Sequence, residues 1–496
     1  SWRRARGALP GEWPGVVAGV VAGLFTAFGR TFWDNAIEAE VYALSSLIMA
    51  LSAWLILKWG RWEGDRRGKN GLFVLLYYLI CLSMGIHLGT FLVLPGIILF
   101  ALLVDRGSFG EGRGSAWFVA GLVLLLHPGM LPTLGLKVWG PLVGLVLLSG
   151  LLFGGKWPAV GRRGVLLACL VMALVGISTH FYLMIRAGQN PAINEADPQT
   201  WDALWKVLTR DQYKPANPFV ERQAPWSVQL TKHFWEYARD QYALGLRPRW
   251  VGWYLPYLLG LFGLWGQWRR DRQGFALTGV SYLIMSLGLV FYLNFKTDEV
   301  RPRDYFFVAS YQFFAMWIGL GAAWLVSWLR RAPAAGPVAA GSGRSVGSGT
   351  SASAGSGTSS LAGSGTSAPA ASGPSSSSGP SAGADSAAAA RRSGPGSSRS
   401  LAWAGGLLLC ALPLLTCRHY WFEHDRTEFF VARDFAANML EPLKPDAILF
   451  TNGDNDTFPL WYLQQVEKVR KDVTVANLSL LNTEWYLRQL RDFAPK

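Results

Sequence analysis

Residues Gly71–Val104 read GLFVLLYYLICLSMGIHLGTFLVLPGIILFALLV, a run without Asp, Glu, Lys or Arg. A bilayer core takes about 20 residues of helix at 1.5 Å each, so the run is long for one crossing and short for two. Its natural break is Gly85-Ile-His-Leu-Gly89, where His87 interrupts the apolar pattern. Charge decides between the two readings. With two crossings, every basic loop falls on one side: the Arg3–Arg6 start, Arg61–Lys69, Arg106/Arg113, Lys156/Arg162/Arg163, Arg269/Arg270/Arg272 and Arg330/Arg331. With one crossing, the later loops move to the side opposite the first two, against the tendency of Lys and Arg to stay cytoplasmic. Two crossings are therefore expected.

Working outward, the same reading predicts about eleven spans of bilayer length, near 14–32, 41–59, 71–86, 88–104, 115–133, 137–155, 164–185, 250–268, 275–295, 305–328 and 401–420. Composition agrees: 51% hydrophobic, 16% charged and 24 Trp, poorer in charge than a soluble domain. The net charge of +14 sits in short loops between apolar runs, where it orients helices; nucleic-acid binding is not expected. The cysteines Cys81, Cys169, Cys410 and Cys417 form no CxxC pair and match no zinc or redox spacing. The Gly-rich stretch Gly15–Gly29 predicts close helix packing. The fold class is thus mostly α: a polytopic membrane helix bundle over 1–331 with an external polar loop at 187–249. It is followed by an Ala/Gly/Ser/Pro linker over 332–400, expected to be disordered because it lacks apolar surface to bury. A final span at 401–420 leads to a small external α/β region over 421–496. There, Thr427–Leu440 reads as an amphipathic helix, Ala447–Thr451 and Asp472–Leu478 as strands, and Thr457–Val469 and Asn482–Arg491 as helices. Basic, polar Ser1–Pro14 and the helical end at Lys496 read as cuts inside a longer chain.

On this topology the N-terminus is cytoplasmic, and the unusual polar residues collect on the external side. Asp34, Glu38 and Glu40 stand at the mouth of the second span, flanked by aromatics; Asp34 and Glu38, four apart, suit one helix face. Acids before a helix also stabilise it through its dipole, which is the plainer reading. His87 marks the broken point, either as a structural histidine or as an intramembrane ionisable group with a function; His127 has a weaker case beside Pro128-Gly129. Arg186 lies where positive charge is disfavoured, and calls for Glu195, Asp197 or an anionic ligand as partner. Trp201–Tyr213 reads as an interfacial amphipathic helix. Arg301 and Arg303, followed by Asp304, precede another span; a planar guanidinium suits a phosphate, and the alternative is an ion pair within the loop. Asn452-Gly-Asp-Asn-Asp456 closes a strand, where α/β folds often place ligands. Asp454 and Asp456 would suit a divalent cation, or else turn and helix-capping chemistry.

These words, taken together, resemble a known family. Thr31–Ser46 (TFWDNAIEAEVYALSS), Gly85-Ile-His-Leu88, Ile193-Asn-Glu-Ala-Asp-Pro198, Arg303-Asp-Tyr-Phe-Phe307 and Phe450–Leu463 (FTNGDNDTFPLWYL) look like a bacterial membrane family described as protein O-mannosyltransferase-like. The resemblance implies a GT-C-type glycosyltransferase in the inner membrane with its active site facing the periplasm. Its donor would be a sugar on a polyprenyl phosphate, and its acceptor an external protein or glycan. Asp34, Glu38 and Glu40 would then be the catalytic acids, and His87, Arg186, Asn194, Glu195, Asp197, Arg301, Arg303, Asp304, Asp454 and Asp456 would contact substrate. Such enzymes carry a key acid in the first external loop, which on this reading precedes Ser1, so that Glu38 and Glu40 would be secondary acids and the principal base would lie upstream. A transporter or flippase for an amphipathic substrate, or a non-catalytic assembly platform, are the competing classes. Transporters tend to show internal repeats and broken helices at the bilayer midplane, and no repeat is evident between the halves. The external acids and arginines are expected to converge on one cavity.

Overall fold

The computed structural model describes residues 13–105, 163–208, 218, 221–299, 301–330 and 396–493. The chain forms two compact units, one of Ser1–Leu325 with Gly406–Lys496 and one of Val326–Gly405. In the second, the described residues are the end of one helix and the start of another. The expected spans at 115–133 and 137–155 and most of the 332–400 linker lie outside the described residues.

Helix follows helix through the first unit: α1 (Trp13–Ala27), α2 (Arg30–Ile37), α3 (Tyr42–Gly60), α4 (Arg66–Leu82), α5 (Leu94–Val104), α6 (Arg163–Ser178), α7 (Phe181–Ala187), α8 (Trp201–Leu208), α9 (Trp226–Leu230), α10 (Glu236–Asp240), α11 (Arg249–Arg270), α12 (Arg272–Leu283), α13 (Leu289–Leu293) and α14 (Val308–Leu329). The next helix, α15, runs from Gly396 to His424 and so includes the last residues of the expected linker. Five stretches are long and apolar enough to cross a membrane: Tyr42–Gly60, Leu167–Ala187, Arg272–Leu293, Asp304–Leu329 and Ser400–His424. The pair α1 and α2, bent by 63°, makes a sixth if it is one span. Three further expected spans are helical but fall outside this set. The Gly71–Val104 run does break where His87 predicts, through short 3-10 turns at Ser83–Gly85 and Leu88–Val93, which leaves two arms of modest length. Helix α11 has the length but is diluted by Trp, Tyr and Gly and carries Pro256 inside it.

The core follows from which faces are apolar. Met49, Ile56 and Trp59 of α3 pack with Leu76 and Ile80 of α4, Ile97 and Phe100 of α5, Leu277 of α12 and Phe313 of α14. Small residues set how closely the backbones approach. A Cβ on Gly263 would lie 1.9 Å from the Trp317 carbonyl oxygen, and one on Gly321 would lie 2.0 Å from that of Leu259, so α11 and α14 touch backbone to backbone. The expectation for Gly15–Gly29 is corrected in detail. Gly15, Gly19 and Gly23 face open space, and α1 meets α14 instead through Ala18 and Ala22 against Gly319. Helix polarity is the same at both ends that carry basic loops: Asp65 and Asp271 cap α4 and α12 by accepting the backbone N–H of Gly68 and Gly274.

After α15 the chain builds α16 (Val431–Leu440), β1 (Ile448–Thr451), α17 (Asp454–Tyr462), β2 (Thr474–Asn477) and α18 (Glu484–Phe493). The two strands are parallel, from Ile448 opposite Thr474 to Thr451 opposite Asn477. Ala436 and Leu440 of α16 and Leu460 of α17 bury against Val473 and Val475, a small continuous core. Arg470 ties the layers together, donating to the Leu440 and Lys444 carbonyls and pairing with Asp472 at 2.7 Å. Helix α17 begins three residues earlier than the Thr457 expected from sequence, because Asp456 caps its first turn.

Candidate functional site

Two of the motifs singled out in the sequence, about 150 residues apart in the chain, share one cavity of about 420 Å³. Its lining is Arg301, Arg303, Phe435 and the loop Asn452–Asp456.

The arginine wall is fixed from several directions. The Arg303 backbone N–H donates to the Tyr237 hydroxyl at 3.2 Å, its Nε donates to Glu299 at 3.3 Å, and its Nη1 donates to the Tyr305 hydroxyl at 2.8 Å. Arg303 thus makes the ion pair within its own loop and also lines the cavity. Arg301 lies over the Tyr305 ring, 5.4 Å from the centroid. Tyr42 links this wall to His87, with ring centroids 5.2 Å from Tyr305 and 4.9 Å from His87. His87 accepts the Gly89 backbone N–H through Nδ1 and caps the 3-10 turn, an ordering role at the break.

The opposite wall lies at the carboxyl ends of two parallel strands, where side chains and loop amides converge. Asp456 accepts the backbone N–H groups of Asn452 at 2.8 Å and Gly453 at 2.9 Å. Desolvation pushes this carboxyl up, but the backbone donors outweigh it and hold Asp456 below the usual carboxylate range. The capping reading thus describes Asp456, and the exposed Asp454 is the acid of the pair whose side chain is not spent on the cap. Asn477, at the end of β2, donates to Thr457 Oγ1 at 2.8 Å, and Ser479 donates to the Asn452 carbonyl at 2.7 Å. Sequence reasoning did not single out Asn477 or Ser479. Their one signal was position, directly after the second strand. Among the described residues no group of three or more His, Cys, Asp or Glu is placed to hold a metal ion.

Beside the arginine wall lies an acidic cluster. Asp304, the neighbour of Arg303, accepts the Thr31 hydroxyl at 2.6 Å. Asp34 meets Arg426 Nη2 at 3.1 Å and His424 Nε2 at 3.4 Å, and Arg30 donates to Glu423 at 2.6 Å. Both ring nitrogens of the buried His424 face carbonyl oxygens, of Tyr420 and Arg30. Asp34 is therefore a member of an ion network. Glu38 differs. Helix α2 ends at Ile37, yet Glu38 stays within electrostatic reach of Asp34, Glu40 and Asp304. The residue is exposed, yet partial desolvation and then these like charges raise its pKa above the ordinary glutamate value, with Arg426 pulling the other way. Glu40 is exposed. Glu423, His424 and Arg426, which hold this cluster together, were not among the sequence candidates, since they follow a span with no motif around them.

The remaining candidates lie elsewhere. Arg186 pairs with Gln189 within its own loop rather than with Glu195 or Asp197. Asn194 donates to Asp197 at 2.7 Å, and its backbone N–H donates to Gln489 of α18 at 3.1 Å, which docks the Ala187–Gln199 loop on the last helix. Arg186, Asn194, Glu195 and Asp197 do not line the cavity.

Comparison with known proteins gives two matches, one near each end. Residues 8–107 match the family described as "Protein O-mannosyl-transferase TMEM260 N-terminal domain", and residues 432–495 match "TMEM260-associated domain 2". Among curated proteins, the Mus musculus "Protein O-mannosyl-transferase TMEM260" is 30% identical over 97 residues, which is 20% of this chain. The chain covers 13% of that relative's length in the match. No solved structure matches. Over these residues the chain is similar to a protein O-mannosyltransferase family. Among the described residues, five helices, or six with the bent pair, are long and apolar enough to cross a membrane, as in a multi-pass membrane protein.

Proposed function

We propose that the chain is a GT-C-type membrane glycosyltransferase that moves a mannose-like sugar from a polyprenyl phosphate to an external acceptor, protein or glycan. The observation that carries the proposal is the cavity joining Arg301 and Arg303 to the loop at the N-terminus of α17, beside the Glu38 cluster. In such a transfer the acceptor oxygen forms a bond to the sugar's anomeric carbon as the bond from that carbon to the phosphate oxygen breaks. The acceptor's proton must go to a base, and the departing phosphate must be met by cations. Arg301 and Arg303 supply planar, permanently charged donors for that phosphate. Glu38, raised by burial and by its acidic neighbours, is the carboxylate assigned here to take that proton. Asp34 holds Arg426 and His424 and acts through them.

The test is donor binding and sugar release in reconstituted membranes, with a radiolabelled polyprenyl-phosphate mannose. Arg303→Ala and Arg301→Ala should each weaken donor binding and lower transfer by about 10²–10³-fold, the typical cost of removing one preorganised donor. Acceptor binding should change little. If both variants bound donor as the parent does, the phosphate role would be lost. If the parent bound no lipid-linked sugar, the enzyme reading would fail altogether.

A further inference from the structure

We infer that the segment Phe429–Phe435 is a membrane-surface anchor, with its apolar face set into the lipid leaflet that α15 leaves at His424. The aromatic and aliphatic side chains here stand in the open: Phe429 and Phe430 are each 59% exposed, Val431 63% and Phe435 48%. Single exposed apolar residues are ordinary, but four along one seven-residue segment form a patch that needs a partner. The core does not provide it. Helix α16 turns a different face, Ala436 and Leu440, to the strands and α17. Val431 and Phe435, four apart, share the outward face, while the exposed Glu441 lies on another flank.

Position identifies the partner. The stretch Ser400–His424 is long and apolar enough to cross a membrane, and Phe429 follows its end by five residues. Five residues span at most about 18 Å, so the patch stays close to the end of that span. Hydrogen bonds through Arg30 and Thr31 fix the level of that end against the start of another candidate span. His424 Nε2 lies 3.0 Å from the Arg30 carbonyl, and Thr31 donates to Asp304, where the Asp304–Leu329 stretch begins. Phe435 lines the same cavity as Arg303, the residue just before Asp304. The patch therefore sits at the level where two candidate spans, Ser400–His424 and Asp304–Leu329, meet the surface. Its chemistry suits that depth: Phe and Val on one face, with Arg426 over the Phe429 ring at 5.4 Å. A consequence is that the mouth of the Arg301/Arg303 cavity opens at headgroup depth. The inference does not depend on which reaction the cavity performs.

The experiment is site-directed spin labelling of the full chain in lipid vesicles, after replacement of its 4 cysteines. Labels at Phe430, Phe435 and Glu441 are each read for collision with oxygen, which concentrates in lipid, and with a water-soluble nickel chelate. At Phe430 and Phe435 the oxygen-to-chelate ratio should exceed that at Glu441 several-fold. Ratios equal to that at Glu441 would mean water and would overturn the inference. Shielding of Phe430 and Phe435 from both reagents would mean a protein partner, a second copy included, and would overturn it equally. All three labels replace exposed side chains, and the Glu441 label reports within the same protein whether the fold is kept.

Discussion

At the scale of single residues, Glu38 is the acid proposed as the base. Asp34, Asp304 and Asp456 are each held by hydrogen bonds or ion pairs, whereas Glu38 is shifted chiefly by burial and by like charge. The sign of its effect on stability follows. Its pKa is raised in the folded state, so folding favours its protonated form. The ionised carboxylate is a cost to stability that is absent below the unfolded pKa and fully present above the folded one. Glu38→Gln should therefore leave the melting temperature at neutral pH unchanged or slightly higher, while lowering sugar transfer by about 10²–10⁴-fold, the usual worth of a general base. The acid limb of the parent's pH profile should also disappear in this variant. A large drop in melting temperature, or full activity, would remove Glu38 from the role of base.

Elements in this molecule depend on small residues at particular contacts rather than on glycine content. Gly263 and Gly19 both lie in apolar helices, but only Gly263 stands against a backbone. Gly263→Val should force α11 and α14 apart, at a cost of about 1–3 kcal/mol or more for overpacking, read as a lower melting temperature in detergent. Gly19→Ala should be neutral or mildly stabilising, since a helix-interior Gly is about 0.5–1 kcal/mol worse than Ala. Equal effects of the two substitutions would contradict the packing described. In the α/β region, Leu460 is fully buried between α16 and the strands. Leu460→Ala should cost about 2–5 kcal/mol and loosen the loop at Asn452–Asp456 that it supports, with donor binding falling alongside.

Over the whole molecule, the positive loops and the cavity lie at opposite ends of α3: Tyr42 reaches His87 and Tyr305, while Gly60 leads to Arg61 and the basic turn. A helix of that length is about 28 Å long, close to the thickness of the hydrocarbon core. With basic loops cytoplasmic, a single cysteine near Gln199 should react with an impermeant thiol reagent in intact cells. One near Gly68 should react only after permeabilisation. Equal labelling of both positions in intact cells would reverse or abolish the topology, and with it the external placing of the cavity.

The order of helices, the break at His87, and the α/β character of the tail were readable from apolar runs and turn residues, because the bilayer and the strand period act locally on sequence. The two arginines before Asp304 and the Asn452–Asp456 loop were readable as chemistry, because charge next to an apolar run is costly and so conspicuous. That these two motifs line one cavity was not, since the contact spans about 150 residues and depends on how α14, α15 and the α/β region stack. Folding likewise separated Asp34 from Glu38. Two acids four apart look equivalent in one helix, but only the packed structure pairs the first with Arg426 and His424 and leaves the second exposed, facing Asp34, Glu40 and Asp304 as well as Arg426. It also placed Arg186 and the Asn194–Asp197 turn away from the cavity lining, the turn docked on α18, because the hydrogen bond from the Asn194 N–H to Gln489 is a tertiary event that no local pattern announces. Local sequence thus specified the elements and the types of residue available, while the meeting of distant segments decided which of them form a site.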